Sequence, residues 1–590
     1  MARIKSGVGQ KPKNFFGSMK RIFAYSKAHG IALIVASIMV VFSTLCRLVG
    51  PKKLGDLSNI INPMVNSTFS IDSVIKIALF LISLYLLAFL STYISNRLFG
   101  KTAFKVTQSL RADISKKINK LPLRYLDSTP YGEVLSRITN DVDLIGQTLL
   151  DSAATMVGSV IMFTGSLLMM FIINPVLAIC AVGSTFMGFF LMIQIVKKSQ
   201  TYFVSQQRNL GELNGIIEES YSGQSLIRTF NAIGESEAKF EVVNNKLKNS
   251  AWKSRFTSGI MQPIMGFIGN LGYVVVCIVG AVLVVQGKIE FGVIVSFMIY
   301  IRLFTNPLSQ IAQTITQLQT TAAAGERVFE FLDECELEDE TLKSKIDFNF
   351  NGAVEFSHVK FGYLPEKEII HDFSANVKPG EKVALVGPTG AGKTTIVNLL
   401  MRFYELNAGS IKIDNVDIKD MTREQLHDLF GMVLQDTWMF HGTVRENLVY
   451  NKTDVSDEEI WNACRACGID HFIKTLPHGM DSVLDDNTSI SAGQKQLFTI
   501  ARAMIQDNPM LILDEATSNV DTRTEELIQR AMDKLMENRT SFVIAHRLST
   551  IKNADLILVL NQGDVIEQGT HEELIEKDGF YAGLYNSQFV

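Results

Sequence analysis

Gly387-Pro388-Thr389-Gly390-Ala391-Gly392-Lys393-Thr394-Thr395 decides how the second half of this 590-residue chain folds. The spacing is that of a phosphate-binding loop. Its glycines let backbone N–H groups turn inward around phosphates, its lysine reaches the outer phosphates, and the hydroxyl of Thr394 can ligate Mg²⁺. Lys382-Val383-Ala384-Leu385-Val386 reads as a buried strand entering the loop, and Thr395-Ile396-Val397-Asn398-Leu399-Leu400 as the helix leaving it, the context the motif requires. Further along lie Ile490-Ser491-Ala492-Gly493-Gln494 and then Leu511-Ile512-Leu513-Asp514-Glu515. The second of these reads as a strand delivering Asp514 toward Mg²⁺ and Glu515 toward an attacking water.

Working back from the loop, the composition changes character. The chain is 47% hydrophobic, and the excess is concentrated in its first half. Stretches of membrane-spanning length run over Ile31–Cys46, Ile77–Ile94, Ser152–Ile173, Val176–Val196, Gly259–Val285 and Phe291 to about Ala312. Ser152 to Val196 contains no charged residue, and Asn174-Pro175 in its middle reads as a turn between two spans. Six such stretches in succession argue against a soluble core, which would need amphipathic elements around it.

Arg3, Lys5, Lys11, Lys13, Lys20, Arg21 and Lys27, with no acid among them, put the amino-terminal segment on the cytoplasmic side. Asn96–Gly146 and Lys197–Arg255 read as helices extending beyond the membrane. Each is broken near its middle, around Tyr125–Glu133 and around Ser220–Ser225. Cys464-Arg465-Ala466-Cys467 has metal-ligand spacing, yet no second pair follows and the stretch reads as a helix, so core packing is expected rather than zinc.

With these residues in view, the chain resembles a type IV ABC exporter half-transporter of the bacterial multidrug kind, from about Phe15 to its end. The resemblance implies an all-α six-helix transmembrane domain followed by an α/β P-loop ATPase domain with a helical subdomain. The expected division is a basic tail at 1–29, the transmembrane domain at 30–325 and the nucleotide-binding domain at 326–590. ATP and Mg²⁺ are the implied cofactors. Tyr363 matches the aromatic that stacks on adenine, and residues Gly387 to Thr395 (Gly387, Pro388, Thr389, Gly390, Ala391, Gly392, Lys393, Thr394, Thr395) match the phosphate loop. Gln435 matches the glutamine that senses Mg²⁺, for which Thr394 and Asp514 are the other expected ligands. Ser491, Ala492, Gly493 and Gln494 match the signature that closes over the ATP of a partner, with Asp521 in the loop that communicates across the dimer. Glu515, His546, Lys393 and Gln435 are the expected catalytic set.

In this family each ATP lies between one subunit's phosphate loop and the other's signature, so a second half-transporter is implied. Ala492 stands where the family pattern has glycine, while Glu515 and His546 are intact. That combination resembles the catalytically competent half of a heterodimer; a homodimer tolerating one added methyl is the alternative.

Arg302, Asn306, Gln310, Gln313 and Gln317 recur at intervals of three or four, which places them on one helical face. Polar residues at membrane depth face a bundle interior or a wet cavity. Arg302, Asn306 and Gln310, with Asn270 and Tyr273 of the preceding span, are therefore the expected transport pathway. Gln313 and Gln317 are expected on solvated helix below the membrane.

The expected activity is ATP-driven export of small amphipathic or drug-like molecules across a bacterial plasma membrane, in contact with membrane lipid. Lipid or lipid-like export is an alternative, and an ATP-gated channel or regulatory protein is a second. Soluble DNA-repair ATPases share the motifs but not the spans, so no nucleic-acid partner is expected.

Overall fold

The computed structural model describes residues 12–61, 71–340, 343, 345–346, 350–364, 366–435, 437–484, 490–514, 521–545 and 548–589. These form two compact units. The first holds residues up to 119 together with 131–334, and the second holds 120–130 together with 335 onward.

The first unit is helical: α1 (Phe15–Ser26), α2 (Gly30–Ile61), α3 (Ile71–Ile118), α5 (Tyr131–Ser136), α6 (Val142–Ile173), α7 (Pro175–Ser222), α8 (Gln224–Thr229), α9 (Ile233–Gly259), α10 (Met261–Val285) and α11 (Phe291–Leu332), with α4 (Leu123–Ser128) assigned to the second unit. Among the described residues, five helical stretches are long and apolar enough to cross a membrane, and Pro175–Phe186 at the start of α7 is a shorter apolar helix in the expected fourth span. The spans outrun the apolar stretches that mark them. The helix expected over Ile31–Cys46 continues through Pro51 to Ile61, and α11 passes through Pro307 without interruption to Leu332. The domain boundary expected at 325/326 thus falls inside a helix.

Asn174 ends α6 and caps α7, its side chain accepting the N–H groups of Val176 and Leu177 while Pro175 occupies the first turn. The two expected breaks are short helices, α4 and α8, as the Pro-, Gly- and Ser-rich stretches require.

Apolar helices gain nothing from burying leucine against lipid, so close approach and hydroxyl bridges hold this unit. A Cβ on Gly292 would lie 2.1 Å from the Gly55 carbonyl oxygen. The Ser43 hydroxyl donates to the Ala88 carbonyl at 3.0 Å and that of Ser95 to Ala36 at 3.1 Å, tying α2 to α3. Helix α11 runs antiparallel to α6, with the Ser159 hydroxyl donating to Gln310 Oε1 at 2.8 Å and that of Ser166 to the Leu303 carbonyl at 3.4 Å. At the base of the pair, Arg327 grips Asp141 through two nitrogens, at 2.9 and 2.5 Å.

In the second unit the strands are β1 (Val354–Phe361), β2 (Ile370–Val377), β3 (Lys382–Val386), β4 (Ala408–Ile413), β5 (Val416–Asp417), β6 (Phe430–Val433), β7 (Gly442–Thr443), β8 (Val483–Leu484), β9 (Met510–Asp514), β10 (Thr540–Ile544), β11 (Leu556–Asn561) and β12 (Asp564–Gly569). Six make a sheet in the order β12-β11-β3-β10-β9-β6, parallel except for the β11–β12 edge; β2-β1-β4-β5 is a separate antiparallel sheet. The helices used below are α12 (Lys393–Leu400), α13 (Arg423–Leu429), α14 (Val444–Val449), α15 (Asp457–Ala466), α16 (Asp470–Thr475), α17 (Ala492–Gln506) and α18 (Thr522–Met536).

The parallel strands are buried on both faces, which is why they read as unbroken apolar runs. Met510 and Ile512 of β9 join Phe542 and Ile544 in a core with α12 and the antiparallel sheet. Leu511 and Leu513 turn the other way, into a core with α15, α17 and α18. Cys464 and Cys467 lie in that second core, where burial pushes both thiols up to about 12.

The segment after Leu332 is clamped to this unit by charge. Arg402, only 4% exposed, meets Glu340 at 2.9 Å and Glu405 at 3.0 Å, and Arg423 meets the same Glu340 at 2.9 Å. Burial alone would raise the Glu340 pKa, but the Arg423 backbone N–H and guanidinium, Arg402 and Lys343 together hold it below its ordinary value. A depressed carboxylate stabilises the fold at neutral pH, and that contribution is lost as pH falls through the folded value. Glu340→Ala leaves buried Arg402 short of its closest acid, so unfolding of the purified chain in urea should show a loss of about 3 kcal/mol at pH 7. The deficit should shrink toward pH 4; a deficit independent of pH would contradict the clamp.

Candidate functional site

Parallel pairing brings the predicted residues to one edge of the sheet. Ile544 of β10 pairs with Leu385 of β3 on one side and Asp514 of β9 on the other, and Val433 of β6 pairs with Leu513. The strands thus end level, with the phosphate loop leaving β3, Asp514 closing β9 and Gln435 two residues past β6. Glu515 and His546, which follow β9 and β10, lie outside the described residues.

The loop itself needs its glycines. A Cβ on Gly387 would stand 2.2 Å from the Leu560 carbonyl oxygen, and Gly392 has φ of 102°, a conformation that costs other residues. Gly392 also caps α12 without offering a side chain, so the first N–H groups of that helix, where the dipole is positive, are left to a ligand. Thr389, Gly390 and Thr394 are exposed on the loop. Lys393 is 8% exposed and arches back to donate to the carbonyls of Gly387 at 2.7 Å and Pro388 at 3.1 Å. Burial lowers its pKa and Asp514 partly restores it, the balance expected of a lysine aimed at phosphates beside a metal-binding acid. Exposed amide donors, a lysine, the Thr394 hydroxyl and Asp514 together fit a nucleotide triphosphate with its divalent cation.

Tyr363 lies against the loop, its hydroxyl 3.3 Å from Thr395 Oγ1 and its ring edge-on to Tyr404 at 4.9 Å. The Tyr404 hydroxyl in turn donates to Asp127 of α4. Burial first, and then Asp127, drive the Tyr404 pKa well above its ordinary value. Three contacts therefore join the first break, α4, to the phosphate loop. Sequence reasoning did not find Tyr404, because its partner is 277 positions away.

The Ser491–Gln494 stretch opens α17. Ser491 Oγ accepts the Gln494 N–H at 3.2 Å and Gln494 Oε1 accepts the Ser491 N–H at 3.0 Å, a reciprocal capping box. Gly493 is buried, while Ala492 occupies the first helical position with its methyl exposed. Arg502 ties α17 to α14 and to the loop after Gln435, donating to the Asn447 carbonyl at 2.8 Å and the Trp438 carbonyl at 3.4 Å. Asp521 caps α18 by accepting the Thr524 N–H at 3.0 Å, and the same hydrogen bonds hold its pKa below the usual range.

In the first unit, Arg302, Asn306 and Gln310 are exposed along one side of α11, opposite buried Phe297, Tyr300, Phe304 and Pro307. Asn270 is exposed on α10 and Tyr273 is half-buried. Gln313 continues the exposed side and Gln317 is half-buried.

The family profile for the ABC transporter transmembrane region matches residues 33–308, and that for the ABC transporter domain matches 370–518. A fatty acid ABC transporter ATP-binding/permease protein of Mycobacterium bovis is 43% identical over 90% of this chain and 84% of its own length. The chain belongs to the ABC transporter family. A probable multidrug resistance ABC transporter ATP-binding/permease protein, YheH of Bacillus subtilis, is 35% identical over 84% of this chain and 74% of its own. A solved bacterial Atm1-family ABC exporter with ATP bound superposes with a TM-score of 0.74 at 28% identity, covering 96% of this chain and 98% of that one. This ABC transporter is an integral membrane protein of the type IV exporter fold, binding ATP and coupling its hydrolysis to transport.

Within it, Tyr404→Phe deletes the hydroxyl that meets α4 and keeps the ring. Transport per ATP hydrolysed, measured in proteoliposomes, should fall several-fold, because nucleotide binding is untouched while the link to the break is cut. An unchanged ratio would mean that the Asp127–Tyr404 contact is structural only.

Proposed function

We propose that this chain is one half of an exporter that moves amphipathic molecules, lipid-like ones included, out across the plasma membrane. The observation that carries the cargo reading is the α11 face. An exposed run of Arg302, Asn306 and Gln310 at membrane depth is costly against lipid and is accounted for when it lines a wet pathway. Relatives named for fatty acids and for multidrug resistance both fit a pathway that accepts amphiphiles.

In the proposed cycle Lys393 and the amides of Gly390 to Thr395 hold the phosphates, and Tyr363 receives the base. Glu515 orients and deprotonates the attacking water and His546 steadies the charge that develops, so the chain's contribution is positioning and electrostatics. Thr394, Asp514 and Gln435 would hold Mg²⁺, which neutralises phosphate charge when bound. Ser491, Ala492, Gly493 and Gln494 close over the nucleotide of a second half-transporter, with Asp521 beside that interface. Closure of the two nucleotide-binding domains favours one state of the spans over the other, which is how ATP drives alternation.

The partner is proposed to be a different chain. Ala492 places a methyl at the first turn of α17, where a partner's nucleotide would sit, while Glu515 and His546 are retained here. The chain expressed alone and reconstituted in lipid should bind ATP yet turn it over weakly, at the level of Glu515→Gln. Addition of the partner should raise the rate by about two orders of magnitude. Robust Mg²⁺-dependent hydrolysis by the chain alone would establish a homodimer instead.

A further inference from the structure

We propose that the transported amphiphile carries an anionic head group and that Arg302 and Arg47 are the residues that hold it. This rests on the export reading given above.

The depth of both arginines follows from helix register. Helices α2 and α11 run antiparallel, with Gly292 against Gly55, the Ser296 hydroxyl bonded to the Pro51 carbonyl at 3.0 Å and the Tyr300 hydroxyl to the Leu48 carbonyl at 2.7 Å. Continuing that register puts Arg302 level with Cys46 and Arg47. On α10, a Cβ on Gly272 would lie 4.0 Å from Ile301, so Asn270 and Tyr273 are at the same level. Arg302 is about 16 Å below Phe291 along α11 at 1.5 Å per residue, near the middle of a hydrocarbon core about 30 Å thick. That is too deep for a guanidinium to reach either surface by snorkelling.

Among the described residues no acid answers either charge. Arg302 has no hydrogen bond or ion pair among the described residues, and the described partner of Arg47 is the Thr92 hydroxyl at 3.4 Å. The helices carry no Asp or Glu from residue 30 to 55, 73 to 112, 152 to 211, 261 to 285 or 291 to 325. A second copy of this chain would bring none either, and an acid contributed by a different partner half would show in the experiment below as loss of the preference for anionic amphiphiles. A guanidinium lining a wet pathway is stabilised when the molecule that displaces water beside it carries the counter-charge. The cargo supplies it. The planar fork matches a carboxylate or a phosphate, and a cationic cargo would be repelled. Beside Asn270, the exposed side chains of Phe267, Val274 and Ile278 provide an apolar flank suited to an alkyl chain.

The test is equilibrium binding of radiolabelled palmitate to the assembled transporter, this full chain together with its partner half, in phosphatidylcholine nanodiscs, empty discs subtracted. Competitors are lysophosphatidate (anionic), methyl palmitate (neutral) and hexadecyltrimethylammonium (cationic). Saturable palmitate binding is expected, with the ester and the cation at least about tenfold weaker as competitors, the value of one charge-assisted contact. Palmitate or lysophosphatidate competing better identifies the head group as carboxylate or phosphate. Arg302→Gln and Arg47→Gln should each weaken palmitate about tenfold and spare the ester, whose retained binding shows the variant is folded; Arg302→Lys should recover part of the loss. Equal competition by acid and ester, tighter binding of the cation, or wild-type palmitate affinity in Arg302→Gln overturns the proposal. Binding of all amphiphiles without charge preference would remove this inference and leave the export reading intact; binding of none would remove both.

Discussion

Phosphate chemistry needs a lysine, a carboxylate and a set of backbone donors to converge. In this chain the convergence is made by backbone pairing within one parallel sheet. Because Ile544 pairs with both Leu385 and Asp514, the strands end level and the loops leaving them share one edge. The order of β3, β10 and β9, more than any side-chain contact, sets where Lys393 and Asp514 meet. Burial of alternate β9 residues in two different cores holds that order: a slip of one residue would exchange Met510 and Ile512 for Leu511 and Leu513 and rotate Asp514 away.

The membrane half obeys a different constraint. Lipid offers no hydrophobic reward for helix association, so the unit relies on glycines, hydroxyl bridges and bidentate pairs such as Arg327 with Asp141 at its base. On the exposed side of α11, Arg302 has no described partner, and its place there is the basis of the proposed pathway. The same reasoning separates Gln310, held by Ser159, from Arg302, which has no described partner.

Much of this was legible in the sequence because it is local. The phosphate loop, the strands buried on both faces and the apolar spans are each written within a dozen or two residues. Span length was less legible: counting apolar residues stops at Arg47, whereas the helix continues through Pro51 to Ile61. Contacts between distant segments left no local trace. Asp127 with Tyr404, Arg502 with Asn447, and the register that sets Arg47 beside Arg302 in depth each depend on how elements pack. Tyr404 in particular reads as an ordinary core aromatic until its hydroxyl partner is known.

The central claim is that ATP turnover at this sheet edge moves an amphiphile across the bilayer. It is tested most directly by following a fluorescent long-chain amphiphile in inside-out vesicles that contain the assembled transporter. Accumulation in the vesicle lumen is expected to require hydrolysable ATP and to cease with a non-hydrolysable analogue. Hydrolysis that proceeds at full rate while the amphiphile stays equally distributed would contradict it.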